Sequence, residues 1–80
     1  MRYLARWSPR HKLEVDLEVH EEDDRIVRFS HLGGRKLELK REEEEKLYGQ
    51  IVIARANFKN RMKNVLMLKT EVEIYQRCDY

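Results

Sequence analysis

Apolar residues recur along this chain at two different periods, and the change from one to the other divides it. Leu13, Val15, Leu17 and Val19 alternate with Glu14, Asp16, Glu18 and His20. That period of two belongs to a strand with one wet face, and it predicts a strand over Lys12–His20. Glu21-Glu22-Asp23-Asp24 reads as a solvated turn, and Ile26, Val27 and Phe29 predict a returning strand over Arg25–Ser30. His31-Leu32-Gly33-Gly34 is the next turn, with two glycines free to take positive φ. Leu37 and Leu39 predict a further short strand over Arg35–Lys40. Upstream, Arg2–Trp7 is a short first strand, ended by Ser8-Pro9 because proline cannot donate to a ladder.

From Arg41 the period lengthens. Leu47, Ile51, Ala54, Phe58, Met62 and Val65 recur at steps of three and four, which predicts a helix over 41–62. Glu42 to Glu45 crowd its first turn, while Arg55, Lys59, Arg61 and Lys63 crowd its second half. Each well-placed charge in that order gains roughly 0.3–1 kcal/mol from the helix dipole. No Ser, Thr, Asp or Asn stands at the N-cap. Gly49 sits inside the helix at a cost of about 1 kcal/mol relative to alanine, either tolerated or admitting a close neighbour. Asn60 and Asn64 suit a fraying end.

Beyond it two readings compete. Val65, Leu68, Val72 and Tyr75 would prolong the helix to about 35 residues and favour a helical dimer. Leu66, Leu68, Thr70, Val72 and Ile74 would instead alternate as a strand. The strand uses the β-branched residues and accounts for more positions, so a final strand over 65–76 is expected. The expected fold is α+β: a small antiparallel meander of three to four strands, packed by one amphipathic helix, in a single domain spanning 1–80.

Composition narrows the class. Charged residues make up 40% of the 80 and hydrophobic ones 41%, with one Pro and three Gly, so a folded domain with a dense surface charge is expected. Its core is small for its surface. The one cysteine excludes an internal disulfide, and the basic N-terminal stretch leads into no apolar run of signal-peptide length, so a reducing cytoplasm is expected. Nothing approaches the ~20 apolar residues of a membrane span.

A net charge of +2 does not by itself imply nucleic acid, yet the charges are blocked. Arg2, Arg6, Arg10 and Lys12 have no acid among them, Glu14 to Asp24 holds seven acids and no base, and Arg25 to Arg41 is basic again save for Glu38. On neighbouring strands such blocks pair across the ladder.

The histidines His11, His20 and His31, with Cys78, share no metal-ligand spacing, and no nucleophile, zinc-hydrolase or phosphate-loop signature is present. Neither enzyme activity, metal nor cofactor is expected. The positive feature is the row Arg55, Lys59, Lys63 at i, i+4 and i+8, with Arg61 beside it and Asn57, Asn60 and Asn64 interleaved. Such a row suits phosphates, its amides adding hydrogen bonds. It equally suits a solvated face that complements the dipole. Trp7 and Tyr3 lie among Arg2, Arg6 and Arg10, an interleaving that can stack on bases or simply place aromatics in the core of an edge strand.

Arg6-x-x-x-Arg10, followed by a strand and Ser30-x-x-Gly33, resembles the bipartite signature of PilZ domains. That resemblance implies a six-stranded barrel and arginines that grip cyclic-di-GMP. It departs from the family at Arg28, where an acidic residue or Asn is usual, and its two motifs lie closer together than in the family.

The residues favour a small non-enzymatic interaction or regulatory module of adaptor or inhibitor type. It would bind a protein partner through an exposed strand edge or a charged face, with a homodimer as one way to enlarge its core. The alternative is nucleic-acid binding through Arg55, Lys59, Arg61 and Lys63, helped by Arg2, Arg6 and Arg10.

Overall fold

The computed structural model describes residues 1–11, 13–60 and 67–78. Strands β1 (Arg2–Trp7), β2 (Val15–Glu22) and β3 (Arg25–His31) form the meander. Helix α1 (Arg41–Asn60) crosses one face, and β4 (Val72–Cys78) returns beside β1. The sheet is antiparallel with order β3-β2-β1-β4, so the first and last strands are neighbours. This is the α+β architecture expected from the two periods.

Alternation sorts the sheet faces. Tyr3, Ala5, Leu17, Val19, Ile26, Val72 and Ile74 are buried on the inner face, against Leu47, Ile51 and Ala54 of α1. The outer face carries the charge blocks, which pair across the ladder as their order implied. Arg6 lies 3.6 Å from Asp16 and 3.8 Å from Glu14, and Arg2 lies 3.8 Å from Glu18. His20 sits among them; burial first, then the Arg28 guanidinium, holds its imidazole below the ordinary value.

Several boundaries differ from expectation: β2 begins at Val15, leaving Leu13 and Glu14 of the expected Lys12–His20 strand outside it, while Lys12 lies outside the described residues. The acidic turn is two residues long: Asp23 and Asp24 both take positive φ, the conformation of a tight I′ hairpin that matches strand twist. Glu21 and Glu22 therefore belong to β2, and Glu21 falls on the inner face in step with Leu17 and Val19.

Arg35–Lys40 forms no strand. After Gly33 and Gly34, both at positive φ, Leu37 and Leu39 pack against the core without entering the ladder. Their alternation reflects covering, not pairing, and β3 stays an edge. The expected final strand over 65–76 is observed as Val72–Cys78; residues 67–70 are not strand, and 65 and 66 lie outside the described residues.

The physical reason for the late start is the partner. Val72 pairs with Trp7, the last residue of β1, and Ser8 donates one further bond to the Glu71 carbonyl at 2.8 Å. Pro9 then has no N–H to offer. The six-stranded barrel that the PilZ likeness implied is not the fold, because the described residues form four strands in one open sheet.

At the start of α1, Glu43 reaches back to the Lys40 N–H at 3.4 Å, the reciprocal half of a capping box whose other half is missing. Gly49 admits no close neighbour, since a Cβ there would meet nothing within 4 Å. It is merely tolerated. Gly49→Ala should therefore raise stability by up to about 1 kcal/mol in a urea titration, and a destabilised variant would refute that reading.

Candidate interaction site

The described cations of the basic row, Arg55 and Lys59, are engaged within the molecule. Arg55 Nε donates to Glu21 Oε2 at 2.8 Å, and Arg55 Nη2 donates to Asp24 Oδ1 at 3.1 Å. Lys59 Nζ reaches the same Asp24 oxygen at 2.7 Å. Glu21 is only 5% exposed, so it requires a fixed countercharge, and Arg55 supplies it. Its hydrogen bond to Glu21 raises the Arg55 pKa, and Lys59 holds the Asp24 carboxyl below its ordinary value. Burial first, then Glu21, pushes the Tyr3 phenol up to about 12. This cluster ties the second half of α1 to the β2–β3 hairpin.

Asn57, which the spacing placed among phosphate-contacting amides, is buried instead. Its Nδ2 donates to the Leu68 carbonyl at 2.7 Å, and its Oδ1 accepts from the Leu68 N–H at 2.8 Å. Arg61, Lys63 and Asn64 lie outside the described residues.

The N-terminal candidates separate for a simple reason. Arg2 and Arg6 point to the outer face, where acids of β2 hold them and Arg6 also stacks over Tyr75 at 5.5 Å. Trp7, odd-numbered, belongs to the inner face and packs against the core. β1 is a central strand, so Trp7 is no edge aromatic. Arg10 stands apart from both, beyond Pro9, at φ 50° with its N–H 3.3 Å from Glu71.

Trp7 and Pro9 form a ridge between two open clefts at this end of the sheet. The first, about 580 Å³, is walled by Leu13, Val15, Leu37 and Leu39 and rimmed by His31, Arg35 and Lys36, with Glu38 as its acid. Arg35 and Lys36 are exposed and make no ion pair among the described residues. The second cleft, about 530 Å³, runs along the start of α1 past Gly49 and Ile53. Glu43, Glu45 and Glu71 line it together with Arg10 and Lys46.

The buried Trp7 Nε1–H has no acceptor among the described residues. A buried donor left so costs about 1–3 kcal/mol. Leu13, 66% exposed, extends the apolar wall outward.

The sheet edges are less inviting. Both edge strands carry the extra residue of a bulge, Val27 on β3 and Tyr75 on β4, each exposed. Bulges twist an edge away from pairing with another strand. Tyr48 covers β3 further, its hydroxyl donating to the Ile26 carbonyl at 3.1 Å.

Arg35 and Lys36 belong to the basic block between Arg25 and Arg41, yet a strand assignment there hid that they rim a cleft. Among the described residues no three His, Cys, Asp or Glu gather as metal ligands, and no helix is long and apolar enough to cross a membrane. The chain matches no protein-family model, no curated protein and no solved structure.

Proposed function

We propose that this chain is a non-enzymatic protein-binding module that captures an acidic, apolar segment of a partner on the Trp7 ridge. One observation carries the reading: the cations Arg35 and Lys36, without an ion pair among the described residues, border an apolar cleft walled on one side by the Trp7 indole. Aromatic anchors in such clefts are the usual centres of protein interfaces, with charges at the rim setting partner and rate. The α1 cations contribute less, because Glu21 and Asp24 already neutralise Arg55 and Lys59. That local pairing weakens the nucleic-acid alternative, and the bulged edges weaken docking by strand addition.

Trp7 is the sole tryptophan, so its emission reports the cleft directly. Peptides alternating Glu with Leu or Phe, titrated into dilute protein, should shift that emission saturably, and Arg35→Glu/Lys36→Glu should abolish the response. No shift with any such peptide at about 100 μM, a free-energy ceiling near −5.5 kcal/mol, overturns the reading. So would tight binding of labelled duplex DNA or single-stranded RNA that fades steeply with salt and fails in Lys59→Glu, which would move the function to α1.

A further inference from the structure

We infer that the partner on this ridge is a second copy of the chain, its own ridge laid into the basic-rimmed cleft and the acidic start of its α1 against Arg35 and Lys36, giving a two-fold dimer with reciprocal charge contacts. The inference rests on the reading of the Trp7 ridge as a protein-docking surface and names its occupant. Its basis is the order of surfaces at this end of the sheet. The basic-rimmed cleft, with Arg35 and Lys36, lies on one side of Trp7 and Pro9; the cleft bearing Glu43 and Glu45 lies on the other.

A two-fold interface brings each patch against its mate's, so it must be self-complementary. Laying the ridge of each copy into the Leu13-lined cleft of the other sets the acidic side of one against the basic side of its mate, twice. Glu42 to Glu45 suit that role. All four are exposed, and their only described attachments are the Glu43 bond to Lys40 and the exposed Arg41–Glu45 pair at 3.6 Å. Arg10 and Lys46 sit in the acidic cleft as well, but Arg10 lies beside Glu71, and the three carboxylates outnumber the two cations.

Apolar surface supplies the rest. Leu13 is exposed and Val15, Leu37 and Leu39 are only half-buried in the single chain, and an 80-residue domain with so small a core gains in proportion from covering them.

Charge reversal tests this with wild-type folding as its control. Sedimentation velocity across a concentration series should show a reversible monomer–dimer equilibrium for the wild type, with Trp7 emission moving as the dimer forms. Arg35→Glu/Lys36→Glu and Glu43→Lys/Glu45→Lys should each weaken self-association at least about 100-fold, since both copies then present like charges. An equimolar mixture of the two variants should restore the dimer, because both contacts become attractive again.

Restoration on mixing cannot arise from misfolding of either variant. A wild-type chain that remains monomeric at hundreds of micromolar overturns the dimer. If Trp7 still answers acidic peptides, the docking surface survives with another partner; if it does not, both fall. A dimer indifferent to all four reversals overturns the proposed geometry.

Discussion

Arg55→Met should cost about 3 kcal/mol, read as a lowered urea midpoint at unchanged slope. A domain of this length holds on the order of 4–12 kcal/mol in all, so the loss is a large share of its stability. Burial sets the size of the loss. Glu21 is 5% exposed and Arg55 18%, with 2.8 Å between their charged atoms. Removing the guanidinium strands a carboxylate on the inner face, beside Tyr3, where water reaches poorly.

The double variant Glu21→Met/Arg55→Met should recover much of the loss, because well-packed apolar residues can replace a buried pair at little cost. If the double variant were as unstable as the single one, packing by the arginine stem would be the true contribution. Lys59→Ala gives the contrast. Its bond to Asp24 lies at the surface, with side chains 47% and 77% exposed, and should change stability by less than about 1 kcal/mol.

Asn57→Ala should cost about 2–3 kcal/mol, from two short hydrogen bonds lost at a side chain 8% exposed. Asn57 binds Leu68 as a neighbouring strand would, offering both a donor and an acceptor. Two turns earlier on the helix, the Gln50 Oε1 accepts from the Thr70 hydroxyl and the Glu71 N–H, each at 2.7 Å.

These two amides hold the approach to β4 against α1. Amide exchange at Leu68 should therefore accelerate in Asn57→Ala beyond the global change. Protection that persists at Leu68 would show that other contacts hold the segment. Asn57→Asp should be no better, since it keeps the acceptor but exchanges the donor for a buried charge.

Both predictions concern residues whose role was only half visible in the sequence. Glu21 stands two places beyond Val19 and four beyond Leu17, so continuing the alternation by one step assigns it to the buried column. Acidic neighbours made a solvated turn the natural reading; Asp23 and Asp24, taking positive φ, make the turn alone. Asn57 falls within one turn of Ala54 and Phe58, on the flank of the apolar stripe. Its spacing was legible, but an amide on a flank is equally at home in water. Which environment it meets depends on where residues 67–70 lie, and nothing local to Asn57 encodes that.

The misplaced strands share a cause. Alternation at Leu37 and Leu39 marks residues that cover the core, and alternation at 68–74 marks a segment that becomes a strand only where β1 lies opposite. A ladder needs two partners, and periodicity describes one of them.

Along its own length the sequence specifies what is local or directly periodic. It encodes a meander of alternating strands, an amphipathic helix beginning at Arg41 with acids at its start, positive φ at Gly33 and Gly34, and opposite charge blocks able to pair on the outer face. Long-range packing places β4 beside β1, engages Glu21 and Asp24 with Arg55 and Lys59, and makes Trp7 a ridge between a basic-rimmed and an acid-bearing cleft. Backbone preference and hydrophobic period act over a few residues, whereas the partner of a charge or the wall of a cleft comes from residues tens of positions away.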